Sequence, residues 1–294
     1  MVYFLQQVVN GLQLGFVYAL IALGYTMVYG IVRLINFAHG DVFMVGAFAG
    51  FFAIGSFGLG FVPAVVIAML ACTVLGVTIE RVAYRPLRRA PKIASLITAI
   101  GVSLFLENFT SLGFVFGPDY QSFPRPFAPQ AYNIGGVTIT NIQIIIAVVS
   151  LALLALLQFI VLKTKIGMAM RAVSYDQDTA RLMGIDVDFV ISVTFALGSA
   201  LAGAGGVLYA VAYPQVQPLM GIMPGLKAFV AAVLGGIGII PGAFLGALIM
   251  GLAENLTTGY ISSSYRDAVA FAILIVVLIV RPTGLLGKRG SEKV

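Results

Sequence analysis

Long apolar segments separated by short polar loops run from one end of the chain to the other. Several approach the ~20 residues that an α-helix needs to cross a bilayer. Each segment is predicted to be helical, because unpaired backbone groups are costly in lipid. The predicted segments are 4–29, 36–58, 61–80, 93–117, 141–162, 188–212 and 266–281, together with a Gly-rich, interrupted stretch at 225–258. The pattern predicts an all-α, polytopic transmembrane bundle of about eight to nine membrane segments with discontinuous helices, forming a single domain over 1–294.

The composition excludes several classes of protein. Hydrophobic residues make up 60% of the chain and charged residues 10%, whereas a soluble domain carries about 25% charged residues. The net charge of +6 comes from basic clusters between apolar segments, which set topology in a bilayer, so nucleic-acid binding is not expected. One cysteine, Cys72, and one histidine exclude an internal disulfide and a zinc site. No phosphate-loop motif and no paired catalytic constellation are present, so neither a cofactor nor an enzyme activity is expected.

Basic clusters orient the bundle. The first contains Arg81, Arg85, Arg88, Arg89 and Lys92; the second contains Lys163, Lys165, Arg171 and Arg181; the third contains Arg281, Lys288, Arg289 and Lys293. The positive-inside rule places these clusters in the cytoplasm and the loops 118–140 and 213–224 outside. The stretch 225–258 must then cross twice or enter and leave on one side, as a hairpin of two short helices broken near 235–242. Counting crossings back from the first cluster puts the N-terminus outside.

The loop 118–140 carries a hairpin signal. The sequence from Tyr132 to Thr140 has Gly135-Gly136 at its centre, which is typical of a two-residue β-turn. The loop is either a solvated connector or part of a docking surface for an external partner.

Polar residues at membrane depth are candidates for function, because their burial in lipid is expensive. The densest group is the stretch from Asn36 to Asp41, which contains His39. It predicts either a discontinuous helix along a solute pathway or an interfacial turn in which Asp41 caps the next helix. Glu107 is expected to face the bundle, in a hydrogen-bonded structural role or in contact with solute.

Three further features lie in the second half of the chain. Gly235 and Gly236 mark the break in the stretch 225–258, and the motif G-A-F-x-G occurs both at 46–50 and at 242–246. Such interruptions in both halves point to a transporter's central site, although small residues at this spacing also serve simple helix packing. Glu254 is assigned the same alternatives as Glu107, and Lys227 is expected to snorkel towards the membrane surface.

The cytoplasmic stretch 167–187 predicts a short amphipathic helix that ends at Gly184. Such a helix either lies on the membrane surface or docks into a groove on a cytoplasmic partner. Docking is the favoured interpretation.

Motifs in five places resemble the high-affinity branched-chain amino-acid ABC permease family. They are Gly24 to Gly30 (GYTMVYG), Ile35 to Asp41 (INFAHGD), Ile79 to Arg88 (IERVAYRPLR), Ala231 to Gly238 (AAVLGGIG) and Arg281 to Gly284 (RPTG). The resemblance runs from about residue 4 to the C-terminus without a long insertion.

The resemblance implies one of two dissimilar permease subunits in a bacterial inner membrane. Its expected partners are the second permease subunit, two cytoplasmic ATPase subunits and a periplasmic substrate-binding protein that delivers leucine, isoleucine or valine. It also implies that 163–187 is the cytoplasmic coupling loop, with Arg171, Asp176, Arg181 and Gly184 as coupling residues. Urea and short-amide importers share much of the pattern. A secondary transporter in which Glu107, Asp41 and His39 relay an ion is the alternative of another class.

Overall fold

A computed structural model describes residues 1–88 and 90–287. Its helices are α1 (Val2–Val32), α2 (His39–Gly55), α3 (Phe61–Ile79), α4 (Lys92–Thr110), α5 (Asn141–Lys163), α6 (Lys165–Tyr175), α7 (Gln177–Leu182), α8 (Val187–Ala212), α9 (Ile222–Gly235), α10 (Ile240–Tyr260) and α11 (Arg266–Val280). Helix α3 continues into a π-helical turn (Glu80–Tyr84) and a 3-10 turn (Arg85–Leu87), and a second 3-10 turn (Ser263–Tyr265) precedes α11. Of the basic residues considered above, Arg89, Lys288, Arg289, Lys293 and the side chain of Lys92 lie outside the described residues.

The predicted number of membrane segments is confirmed for the described part of the chain. Seven helices are long and apolar enough to cross a membrane, and α2 and α9 are shorter apolar helices. At 1.5 Å per residue these two are only about 25 and 21 Å long, less than the ~30 Å of hydrocarbon in a bilayer. Helix α4 ends at Thr110 rather than at 117, because Gly113 and the Gly117-Pro118 pair follow it.

Helix α1 is the centre of the bundle. More than half of its residues are buried, and it packs against α8, α9 and α10. Helices α4, α5 and α11 lie at the periphery and expose apolar side chains such as Phe105, Val148 and Ile279. An apolar exterior around a tightly packed centre is expected of a bundle surrounded by lipid and other membrane chains.

The contact between α2 and α8 depends on small residues. A methyl group on Gly46 of α2 would lie 2.5 Å from Gly203 Cα on α8. The contact between α10 and α9 is similar, because a methyl group on Gly246 would collide with the Ala231 carbonyl. Both G-A-F-x-G motifs therefore serve close helix packing.

Contacts at the two ends of the bundle define its topology. At one end the Tyr3 hydroxyl donates to the Gly259 carbonyl (2.8 Å), and Gln6 bonds the backbone of Thr138. At the other end Leu285 N–H donates to the Leu234 carbonyl (2.8 Å), close to the turn between α9 and α10. The N-terminus thus lies at the end opposite the basic loops, as the crossing count predicts. One crossing consists of residues 213–221 followed by α9, and α10 makes the next. Helix α10 is longer than the short helix expected.

The loop 118–140 contains the predicted hairpin. Strands β2 (Ala131–Ile134) and β3 (Val137–Thr140) pair antiparallel, and Gly135 and Gly136 have φ values of 61° and 88°. These positive values are typical of the two-residue turn predicted. A second ladder, unexpected from the sequence, pairs β1 (Gln121–Ser122) with β4 (Gln215–Val216) and ties the two outer loops together.

We predict that Gly206→Ala destabilises the bundle, since the added methyl group would collide with the backbone of Phe43 and Ala47 on α2. Overpacking of this kind costs about 1–3 kcal/mol and should lower the Tm of the purified protein in detergent. Gly101→Ala on α4 is the matched control, because a methyl group there has nothing within 4 Å. Equal Tm values for the two variants would contradict this account of the α2–α8 contact.

Candidate functional site

The first break in the helices lies between α1 and α2. Helix α1 ends at Val32, and Arg33 follows in the left-handed region with φ 56°. The chain then turns back into the bundle, where the imidazole of His39 lies against Gly24. Gly24 is about 12 Å from the cytoplasmic end of α1 at 1.5 Å per residue. Helix α2 therefore begins inside the bundle and runs towards the outer end.

A second half-helix begins at the same depth. Residues 213–221 descend from the outer loops, and α9 starts at Ile222. A methyl group on Gly225 would lie 2.9 Å from Gly40 Cα, and one on Gly221 would collide with the Gly40 carbonyl. The N-termini of α2 and α9 thus meet in the interior, and the two helices run to opposite ends. Helix N-termini carry partial positive charge, and broken helices of this kind surround the central sites of many transporters.

A cavity of about 100 Å³ lies where the half-helices meet. It is lined by Tyr25, Phe37, Gly40, Asp41, Ser103, Glu107, Gly221, Ile222, Gly225 and Leu226. The Ser103 hydroxyl donates to Asp41 Oδ2 (2.5 Å) and lies 3.5 Å from Glu107 Oε1. The cavity therefore combines apolar walls with two carboxyl groups on either side of one hydroxyl, at a depth suited to a solute pathway.

Residues 7–278 match the family model described as "Branched-chain amino acid transport system / permease component". The chain is 47% identical to the high-affinity branched-chain amino acid transport system permease protein LivH of Escherichia coli (strain K12), over 99% of this chain and 98% of that protein. It is 43% identical to the corresponding protein BraD of Pseudomonas aeruginosa, with the same coverage. The chain belongs to the branched-chain amino acid permease family. It is a multi-pass protein of the bacterial inner membrane.

A more distant relative of the permease is the protein LivM of Escherichia coli (strain K12), named as a permease protein of the same transport system. It is 26% identical over 93% of this chain and 68% of that protein.

The sequence-predicted pathway residues separate into different places in the permease. Glu107 lines the cavity. Asn36 is buried outside the cavity lining and accepts a hydrogen bond from the Tyr84 hydroxyl (2.9 Å). The His39 ring packs against Tyr25, with its Nε2 turned towards Gly24. In the alternative hypothesis of a secondary transporter, Glu107, Asp41 and His39 relay an ion. Glu107 and Asp41 line the cavity, but His39 does not.

Gly235 and Gly236 lie away from the cavity. They form the turn between α9 and α10 at the end of the bundle that carries the basic loops, where a methyl group on Gly236 would lie 3.0 Å from Gly287 N. Their role in the pathway stays a prediction, and the observed contacts are those of a tightly packed turn.

Asp41 does not cap α2. The N-cap position is Ala38, and no side chain caps the helix. The Asp41 carboxylate turns instead towards Ser103 on α4, so the discontinuous helix, rather than the capped interfacial turn, describes this region.

Sequence reasoning missed Tyr25, Ser103 and Leu226. One signal was available for Ser103, which precedes Glu107 by four residues and so shares its helix face. Nothing local marks Tyr25 or Leu226 as cavity residues.

An ionic cluster around the buried side chains of Lys227 and Glu254 lies apart from the cavity lining. Lys227 is 1% exposed and pairs with Glu254 (2.9 Å) and Asp267 (2.6 Å), while Glu254 also accepts from Arg266 and from Tyr18 (2.9 Å). The expectation that Lys227 snorkels is wrong, because acceptors on α10 and α11 lie within reach. The cluster joins α1, α9, α10 and α11, and confirms a hydrogen-bonded structural role for Glu254.

The 163–187 segment forms two short helices, α6 and α7, rather than the single amphipathic helix expected. They meet at Asp176, whose extended backbone interrupts the helix and whose side chain accepts from the N–H groups of Thr179 and Asp178. The bond from Thr179 holds the pKa of Asp176 below its usual value. Gly184, with φ 81°, ends α7 as predicted.

Ionic and hydrogen-bonding contacts join the 163–187 segment to the helices. Arg171 donates to the Val161 carbonyl on α5, and Arg181 lies 3.9 Å from Asp188 at the start of α8. Asp188 also pairs with Arg88, which in turn pairs with Glu80 in the π-helical turn.

We predict that Glu254→Gln destabilises the permease by about 3 kcal/mol, because breaking a buried ion pair leaves uncompensated charge. The Tm and the yield of membrane-inserted protein should both fall. The double variant Lys227→Met/Glu254→Gln should be less destabilised than Glu254→Gln alone. Asp119→Asn, in an exposed loop position, is the charge-matched control. A Glu254→Gln protein as stable as Asp119→Asn would show that the cluster contributes little.

Proposed function

We propose that this chain is one of two dissimilar permease subunits of an ATP-driven importer of branched-chain amino acids, and that its cavity is part of the translocation pathway. The observation that carries the proposal is the meeting of two half-helix N-termini around a cavity inside the bundle, in a chain of this permease family. The names of the relatives supply the substrate class, and favour branched-chain amino acids over urea or short amides.

Two related permease proteins are named for one transport system in Escherichia coli, LivH and LivM, and this chain is similar to both. That relationship supports a second, dissimilar permease subunit as the partner of this chain. The greater identity to LivH supports the LivH-like position in this pair for the present chain.

ATP hydrolysis is assigned to separate cytoplasmic subunits, since the sequence carries no phosphate-loop motif. The 163–187 segment offers them a docking surface. Tyr175, Leu182 and Met183 are 81%, 87% and 77% exposed at the cytoplasmic end, and neighbouring exposed apolar side chains are typical of a protein contact.

Two links would carry the motion of docked ATPases to the cavity. In the first, the Gln177 side chain on α7 donates to the Ile31 carbonyl (3.4 Å) in the last turn of α1. The second runs from Asp188 through Arg88 to the π-helical turn, whose Tyr84 donates to Asn36. The first link ends in the last turn of α1, directly before the break 33–38, and the second ends within the break at Asn36. Movement of the 163–187 segment would therefore displace the N-terminus of α2 and the cavity wall.

A periplasmic substrate-binding protein is the proposed partner at the outer end. The loops 118–140 and 213–221 are joined there by the β1–β4 ladder, which supports their use as one surface. The ion-coupled secondary transporter gains no support, since His39 lies outside the cavity.

The first test is the ATPase activity of the complex purified through a tag on this chain and reconstituted in lipid, with and without binding protein and leucine. Stimulation by the leucine-loaded binding protein is expected. Recovery of this chain alone, active in uptake without an ATPase, would overturn the proposal and favour an ion-coupled carrier.

We predict that Gly184→Val uncouples ATP hydrolysis from uptake. A branched residue at φ 81° costs about 1–2 kcal/mol of local strain and should shift the C-terminal end of α7. Leucine uptake per ATP hydrolysed should fall about tenfold, the equivalent of 1.4 kcal/mol.

Gly117→Val is the matched control for this prediction, because Gly117 has the same φ of 81° and the same open surroundings but lies at the outer end. It should leave the coupling ratio unchanged. Normal coupling in the Gly184 variant would count against the coupling role of this position.

A further inference from the structure

The two carboxyl groups of the cavity have no cationic partner within the described chain. Asp41 is 2% exposed and Glu107 is half-buried, yet every Lys and Arg ion pair of the described residues involves other acids. Lys227, which follows the lining residue Leu226 in sequence, pairs with Glu254 and Asp267 instead. A buried carboxylate is costly unless it is paired. Asp41 and Glu107 could therefore bind a cation that enters the cavity.

A buried hydroxyl provides an independent sign of a ligand. Tyr25 is 4% exposed and lines the cavity between the half-helices, with its oxygen beside the N–H of Gly40 and 3.6 Å from a methyl position on Gly225. Its own proton has no acceptor among the described residues. A phenol can both donate and accept hydrogen bonds, so this group is placed to bind a polar ligand inside the cavity.

The remaining walls define the class of ligand. Phe37, Ile222 and Leu226 form an apolar wall, which a metal ion held by oxygen ligands alone would leave without a partner. Opposite the acids, the N-terminus of α9 presents partial positive charge. The cavity therefore fits an organic molecule with an ammonium group at one end, an anionic group near it and an aliphatic side chain.

We propose that Asp41, Ser103 and Glu107 form a binding site for the α-ammonium group of an aliphatic amino acid in transit. The inference rests on the proposed function and adds how this subunit recognises its substrate. Asp41 and Glu107 accept from the ammonium group, and Ser103 donates to Asp41 between the two acids. The substrate carboxylate faces the N-terminus of α9 and the Tyr25 hydroxyl, and the side chain contacts Phe37 and Leu226.

The test measures protection of the cavity from chemical modification in the complete transporter, with all its partner subunits, in lipid nanodiscs. Leu226→Cys in a Cys72→Ala background places one thiol of this chain on the cavity wall. Its reaction with methyl methanethiosulfonate is followed with no addition, with leucine, with isoamylamine (leucine without its carboxylate) and with 4-methylpentanoate (leucine without its amine).

Leucine and isoamylamine should slow the reaction about fivefold or more, because charge-assisted hydrogen bonds are the strong ones, and 4-methylpentanoate should have little effect. Asp41→Asn combined with Glu107→Gln should remove the protection. Asn108→Ala, an exposed position on the same helix as Glu107, is the control that should retain it. Replacement of sodium by choline should change nothing.

Equal protection by 4-methylpentanoate, protection that survives loss of both acids, or protection that requires sodium would each overturn the proposal. Leucine uptake by the same complex separates this inference from the proposed function. Uptake without amine-dependent protection would leave the proposed function standing and overturn the ammonium site. Protection by isoamylamine in a complex that does not import leucine would support the ammonium site and overturn the substrate assignment.

Discussion

Backbone polar groups inside a membrane have to be covered by protein, and this constraint governs the whole bundle. Helices α2 and α9 each begin in the interior, where their first N–H groups lack the partners that a continuous helix would supply. They can do so because α1 and α8 pack tightly around them. Gly24 meets Gly198, and Gly40 meets Gly225, at backbone contact distance. The cavity therefore depends on close packing between helices outside its lining as well as on the residues that line it.

The same constraint separates the buried charges into two kinds. Lys227 and Glu254 are both buried and pair with each other, and Lys227 also pairs with the exposed Asp267, so the buried charges are compensated and the cluster joins helices. Asp41 and Glu107 face a cavity and have only a serine between them. Asp41 and Glu254 are each 2% exposed, so the difference between them lies in the partner. In the structural cluster the cation is Lys227 of the same chain, whereas in the proposed binding site the cation is the substrate's ammonium group.

The cytoplasmic end shows how a site in the interior can be joined to the surface. The π-helical turn from Glu80 to Tyr84 is fixed at one side to Arg88 and Ser192 and at the other to Asn36. Short π-helical turns occur frequently at functional sites, because they break the regular ladder of helical bonds. Here the turn connects the start of α8 with the break before α2 through polar side chains rather than through a continuous rigid helix.

The sequence by itself determined the features that depend on neighbouring residues: the membrane segments, the break near residues 36–41, the Gly135-Gly136 turn and the end of α7 at Gly184. Only the tertiary structure decided that Tyr25 and Ser103 line the cavity while His39 turns away, and that Lys227 is paired. Hydropathy and backbone preference act within a few residues and can be read locally. Ser103 meets Asp41 across 62 residues, and Lys227 meets Asp267 on another helix. Which face of a helix meets which partner is determined by packing between distant segments.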